Sequence, residues 1–245
     1  MAVIQSFNRY ETKYLLTPQQ YTAFREAAAD IIIPDKYGLH TICNIYLDTD
    51  DFYFIEHSLD KPAYKEKLRL RSYGNTVNGG SMVFLEIKKK YRGVVYKRRI
   101  SIPLTQAEEY ISGGITPAGL RGFSDVQIYN EIDFLMKKYA PSPKVYLAYD
   151  RIACFSEKYP QLRITFDQNI RSRTEDITLC SDKNTRLLDT GVDGYYLMEL
   201  KTGYAVPLEM AKILSRLKLY PTSFSKYGCV YKEMRSEKGR FAAVN

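Results

Sequence analysis

Tryptophan is absent from the 245 residues, histidine occurs twice and cysteine four times. No apolar run approaches the roughly 20 residues that span a bilayer, which argues against an integral helical membrane protein. Met1 to Arg9 lacks a basic segment followed by an apolar core, so no signal peptide is expected. Cys43, Cys154, Cys180 and Cys229 are scattered without paired spacing. That speaks against a disulfide framework or a CxxC zinc site and fits reduced thiols in a cytoplasm. His40 and His57 stand in ordinary contexts, leaving little for a histidine metal site or a Ser-His-Asp triad. Charged residues make up 26% of the chain, so wholesale disorder is excluded.

What the chain has is positive charge and tyrosine. Lys and Arg number 36 against 28 Asp and Glu, a net charge of +8, and there are 22 tyrosines. Such a balance suggests a polyanionic partner: nucleic acid, a phosphorylated metabolite, polyphosphate or acidic lipid. The length suffices for a real core and one or two domains. There are no long linkers or repeats, so a single domain over 1–245, with its core at 7–235, is expected.

Short extended segments dominate. Phe7–Leu16 reads as a strand, followed by Thr17-Pro18 as helix cap and first helical residue. Thr41–Asp48 is a strand, and Ala63–Tyr73, Ser81–Lys90 and Val94–Pro103 read as an antiparallel meander with glycine-bearing connections. Ser124–Tyr139, Pro207–Leu219 and Ser225–Arg235 carry helical periodicity, with a fraying tail from Ser236. Lys144–Phe155 and Gln161–Asp167 read as a hairpin, and Tyr195–Lys201 as a further strand. The expectation is an α+β fold with about eight strands and four helices.

Alternation places successive side chains on opposite strand faces. Six strands then show one charged and one largely apolar face. The charged faces collect Arg9, Lys13, Lys67, Arg69, Arg71, Lys88, Lys90, Lys97, Arg99, Arg163 and Lys201. Against these eleven cations stand four anions, Glu11, Glu86, Asp167 and Glu199. A solvated sheet face also alternates, but solvated faces mix signs, because like charges on neighbouring strands repel. Helices need the apolar faces, so the charged faces are expected to point at each other inside a closed antiparallel β-barrel tunnel, with helices packed outside. Buried unpaired charge costs several kcal/mol per ion, so phosphates are the expected filling. A carboxylate among cations can hold Mg²⁺ or Mn²⁺, with Glu199 first and Glu11 second.

The segments RYETKYLLT, NIYLDT, KLRLRSYG, FLEIKKK…YKRR, YDRIACF…LRITFD, LMELKTG and FSKYG follow one order along the chain. Together they resemble the VTC domain, the polyphosphate polymerase domain among the triphosphate tunnel metalloenzymes, which also include CYTH-type phosphatases. The resemblance implies a tunnel of basic antiparallel strands that binds a nucleotide triphosphate or polyphosphate, with a divalent metal held by glutamate. It implies Lys13, Arg69, Arg71, Lys88, Lys97, Arg99, Arg163 and Lys226 as phosphate ligands, with Lys67 and Lys201 on the same faces. Ser225 adds a contact at a helix start, and Glu199 holds Mn²⁺ or Mg²⁺. The chain departs from the wider family's ExExK pattern at Arg9, which favours transfer to phosphate over hydrolysis, and Ser223 stands where a further lysine can occur.

The reaction so implied is ATP + polyP(n) → ADP + polyP(n+1). The acceptor oxygen is already anionic, so positioning and charge neutralisation suffice. Arg69, Arg71, Lys88 and Arg163 would grip the β- and γ-phosphates, and Lys97, Arg99 and Lys226 would guide the growing chain. Three alternatives remain: a tripolyphosphatase or nucleoside triphosphatase with Glu11 or Glu86 orienting water, a non-catalytic polyphosphate or nucleic-acid binder, and a basic sheet on acidic lipid. Nucleic acid is disfavoured because Tyr10, Tyr14 and Tyr96 fall on apolar faces expected to pack in the core.

Overall fold

Alternation along the strands gives each charged face an apolar back, and helices cover those backs. In the computed structural model the described residues are 10–242 except 93, 121 and 204, with side chains described to 236. The sequence expectation for residues 7–9, including Arg9, lies outside them.

The elements run β1 (Tyr10–Leu16), α1 (Pro18–Ala27), β2 (Ile33–Pro34), β3 (His40–Asp48), α2 (Tyr53–Leu59) and β4 (Tyr64–Tyr73). Then come β5 (Met82–Tyr91), β6 (Val94–Pro103), α3 (Leu104–Gly113), α4 (Gly122–Tyr139) and β7 (Ser142–Phe155). The chain closes with β8 (Arg163–Arg173), β9 (Arg186–Leu187), β10 (Tyr196–Thr202), α5 (Leu208–Arg216) and α6 (Lys226–Ala242). This is an α+β fold with a large antiparallel sheet. Its hydrogen-bonded order is β1-β10-β8-β7-β3-β4-β5-β6, with β2 on β7 and β9 on β8. Hydrogen bonds do not close that order among the described residues, so β1 and β6 are its ends.

Two short helices were not expected. Helix α2 is seven residues of mostly aromatic and polar sequence, too short for a visible period. Helix α3 starts directly after β6, and its inward Leu104, Ala107 and Tyr110 do carry a helical spacing. It stops at Gly114, whose φ of 69° is the left-handed conformation glycine adopts freely. Strand β8 runs to Arg173 rather than Asp167, passing Asn169 at φ 50°. Helix α6 continues to Ala242 instead of fraying from Ser236. The expected capping of α1 is present: Thr17 and Gln20 bond each other's backbone amides reciprocally.

The chain divides into two compact units. The first holds residues 1–41, 149–170 and 187–224, and the second 42–148, 171–186 and 225–245. In the first, Tyr14 and Leu16 of β1, Ile164 and Phe166 of β8, and Met198 and Leu200 of β10 form the apolar back. Phe24 of α1 and Met210 and Ile213 of α5 pack on it. In the second, Leu68 and Leu70, Val83, Leu85 and Ile87, and Ile100 and Ile102 form the back of the meander, covered by α3 and by Ile132 and Leu135 of α4. Tyr14 is buried as expected, but Tyr10 and Tyr96 are 63% and 44% exposed. Both sit near the start of a strand at an end of the sheet order, where fewer neighbours cover them.

Asp48 anchors the second unit. It is fully buried at the end of β3 and accepts the amides of Phe54 (2.8 Å) and Ile55 (3.1 Å), the first-turn donors of α2. Phe52, at the cap position, has φ 60° and no side-chain acceptor, so Asp48 replaces the usual cap from outside the helix. Its second oxygen also accepts the Tyr227 hydroxyl of α6 at 2.8 Å. Asp48→Ala is expected to lower unfolding free energy by about 3 kcal/mol, measured by urea denaturation, because three buried donors lose their acceptor. A loss well under 1 kcal/mol would contradict this anchoring role.

Candidate functional site

Strand register in the second unit sorts the charged face into rows. Arg71, Phe84 and Ser101 share the first row, and Arg69, Glu86 and Arg99 the second. Lys67, Lys88 and Lys97 share the third, and Lys65 and Lys90 the fourth. Same-face rows are two residues apart, about 6.8 Å along the strand.

The second row holds the electrostatic centre. Glu86 is 1% exposed, and four cations converge on it. Arg69 reaches Oε2 at 2.7 Å and Arg71 at 3.9 Å, while Lys97 lies 3.0 Å and Arg99 3.7 Å from Oε1. Lys97 and Arg99 hold Oε1 by charge attraction. Burial pushes the Glu86 carboxyl up, but Arg69, Arg71 and Lys97 outweigh it and hold it at about 2. Lys97 moves down to about 7, first through burial and then through Arg69 and Arg71, with Glu86 opposing. Guanidinium groups do not shed protons, so the excess positive charge falls on the one lysine of the cluster. Water reaches 39% of the Lys97 side chain and screens part of that effect. Asn44, which sequence reasoning passed over, fixes Arg71: its Oδ1 accepts Arg71 Nε at 2.9 Å, while its Nδ2 donates to the Leu147 carbonyl at 2.9 Å.

Helix α6 meets the same face. Lys67 Nζ donates to Ser225 Oγ at 3.3 Å, and Ser225 Oγ accepts the Gly228 amide at 3.2 Å as the helix begins. Lys226 is buried beside it. Tyr227 stacks on Tyr46 (centroids 4.5 Å apart), and the Tyr46 hydroxyl lies 3.5 Å from Arg69 Nη1. The structure thus brings together Lys67, Arg69, Arg71, Lys88, Lys97, Arg99, Ser225 and Lys226 on one unit.

The first unit gathers the remainder. Glu199 is buried, with Lys13 3.5 Å and Lys201 3.1 Å from its oxygens. Lys13 also approaches Glu11 at 3.7 Å and donates to the Phe224 carbonyl at 2.9 Å. Arg163 lies opposite Lys201 but turns Nη1 back onto the carbonyls of Pro160 and Leu162. The missed residue here is Arg151 of β7. It grips the fully buried Asp167 with two bonds (2.5 and 2.7 Å) and approaches Glu199 at 3.6 Å. Burial works against its charge, and Asp167, Tyr149 and Glu199 outweigh that. Five consecutive buried residues, Val145–Tyr149, precede it, so no alternation in the sequence flags it.

Glu11 and Glu199 both converge on Lys13, so one or two carboxylates could share a small cation with water and phosphate oxygens, the usual Mg²⁺ or Mn²⁺ arrangement. Among the described residues no group of three or more His, Cys, Asp and Glu could hold a metal. Two carboxylates would leave the rest of such an ion's oxygen shell to other ligands.

The Glu86 cluster makes a stability prediction. A carboxyl held below its ordinary value stabilises the fold above that ordinary value and loses the contribution as pH falls toward about 2. Glu86→Gln is expected to cost about 3 kcal/mol at pH 7, shrinking between roughly pH 4.5 and 2, by urea denaturation across pH. Added tripolyphosphate should stabilise the variant more than the parent; an equal gain would contradict the cluster's role.

Comparison with known proteins follows the same outline. The VTC domain model matches residues 8–235. Subunit 4 of the vacuolar transporter chaperone complex of Schizosaccharomyces pombe is 24% identical over 214 residues, 77% of this chain and 29% of its own length. The chain thus spans under a third of that relative. A candidate adenylate cyclase of Bacillus halodurans aligns with TM-score 0.54 at 13% identity, covering 89% of this chain and 95% of its own. A candidate adenylyl cyclase of Hippeastrum with a dominant triphosphatase activity aligns with TM-score 0.50 at 13% identity, covering 91% and 95%. These two likenesses speak to the fold. Among the described residues no helix is long and apolar enough to cross a membrane. With nearly its whole length matched by the family model, the chain belongs to the VTC domain family.

Proposed function

We propose that this VTC domain is a metal-dependent phosphotransferase that passes the γ-phosphate of ATP, or of another triphosphate, to a growing polyphosphate chain. The observation that carries the reading is the convergence of Arg69, Arg71, Lys97 and Arg99 on buried Glu86. Four cations on one carboxylate leave a large positive surplus, which a phosphate group would neutralise. The closed basic tunnel implied by the resemblance is part of this proposal, as are the single domain and a cytoplasmic setting.

In this reading Arg69 and Arg71 hold phosphate oxygens, Arg71 being oriented by Asn44. Lys88 adds point charge from the next row. Lys67, Lys97, Ser225 and Lys226 contact the chain beyond, and Arg99 adds charge in the row of Glu86. A lysine whose value lies near 7 gains charge as a polyanion arrives, so Lys97 binds phosphate more firmly below neutrality. Lys13 and Lys201 flank Glu199. Arg151 joins the proposed ligands, and Arg163 keeps the weaker place its backbone contacts leave it. Glu199, with Glu11, would hold Mg²⁺ or Mn²⁺, which when bound would supply positive charge against the phosphates. The acceptor is an anionic phosphate oxygen, so no side chain need remove a proton from it. Catalysis is positioning and neutralisation of charge.

Incubation with ATP and Mn²⁺, followed by gel analysis, is expected to give a ladder of polyphosphate. Chelation of the metal should abolish it, and Glu199→Gln should cut turnover by about a hundredfold or more while retaining tripolyphosphate binding. Orthophosphate as the sole product would replace the transferase reading with the hydrolase one, and unchanged turnover in Glu199→Gln would remove its metal role.

A further inference from the structure

One end of the charged face of the second unit is not charged. Alternation continues the face from Arg71 to Tyr73 and from Glu86 back through Phe84 to Met82, and these three positions carry no charge. Tyr73 is 48% and Met82 54% exposed, and Phe84 is half-buried. The rings of Tyr73 and Phe84 meet edge to face, with centroids 5.5 Å apart. Arg99 ties them to the phosphate-binding rows: its guanidinium carbon lies 4.2 Å from the Phe84 ring centre, and Nη1 donates to the Tyr73 hydroxyl at 3.4 Å. At the other end, Lys67 faces Lys88 and Lys65 faces Lys90. Lys65 is held below the ordinary lysine value by burial, Lys90 and Lys61, so that end accumulates like charge.

The face therefore has a direction: an aromatic end, a Glu86-centred cluster, then rows of lysine. We infer that Tyr73 and Phe84 form a stacking site for the base of a nucleoside triphosphate, and that the polyphosphate chain lies toward Lys65 and Lys90. This rests on the proposed function and adds the position and orientation of the donor. A nucleoside joins its triphosphate only at one end, so its base must lie at one end of a phosphate track. A base offers flat faces that stack on aromatic rings and on guanidinium planes, with little dependence on which base it is. Inorganic polyphosphate has no use for aromatic rings, whereas opposed lysines suit it along its length.

A narrower role for the rings is to hold Arg99 in place, and a pair of ligands separates the two. ATP and inorganic tripolyphosphate are titrated calorimetrically, without metal, into the full chain and into Tyr73→Ala and Phe84→Leu. The expected result is that each substitution weakens ATP by about tenfold and leaves tripolyphosphate unmoved. Equal weakening of both ligands overturns the stacking site, because the rings then act through Arg99 alone. No weakening of either overturns it too. Tyr73 is largely solvent-facing, so its variant keeps the test open if Phe84→Leu does not fold. A parent chain that binds neither ligand defeats the proposed function along with this inference. One that binds tripolyphosphate, with ATP affinity indifferent to the rings, defeats only the inference.

Discussion

Everything the second unit offers to a ligand is organised by a carboxylate that cannot reach water. Glu86 is buried on the charged face, while its neighbours Leu85 and Ile87 turn to the opposite face and pack with α3 and α4. A charge there is tolerable only with cations against it. The same contacts keep Arg69, Arg71, Lys97 and Arg99 from repelling each other apart when no anion is present. A partial counter-charge holds the array assembled, and its surplus remains for a ligand. In the first unit the fully buried Asp167 carboxylate accepts two short bonds from Arg151 and fixes it in place.

Positioning then spreads outward from backbone-anchored polar groups. Asn44 takes its own orientation from the Leu147 carbonyl and passes it to Arg71. Asp48 ties the first turn of α2 to Tyr227 of α6, and Tyr227 stands between Tyr46 and the Ser225–Lys226 turn. None of these three side chains needs to touch phosphate to matter. In the proposed reading each fixes an element or side chain near a phosphate ligand, and Asn44 spares Arg71 part of the rotamer freedom that binding would cost.

Much of this was legible in the sequence, and the reasons are specific. Alternation in KLRLRSY and FLEIK sets Lys67, Arg69, Arg71 and Lys88 opposite the leucines and isoleucine of their strands, so these four could be grouped before any pairing was known. Register could not be read the same way. That Glu86 lies opposite both Arg69 and Arg99 depends on turn lengths, and it puts Glu86 at the centre of the array. Arg151 was missed because Val145–Tyr149, just before it, is buried on both faces and hides the alternation. Tyr10 and Tyr96 were misplaced because a period assigns a face, not the depth of its cover. Helix α2 escaped notice because its cap, Asp48, lies outside it and precedes a left-handed residue that a sequence does not announce.

The central claim is that the cations gathered on Glu86 form a preassembled receptor for linked phosphates. Calorimetric titration of inorganic tripolyphosphate into the parent chain over a series of salt concentrations tests it most directly. The account predicts saturable one-to-one binding whose affinity falls steeply and steadily as salt rises, since several charges are neutralised together. No saturable binding at low salt, or binding indifferent to salt, would contradict it.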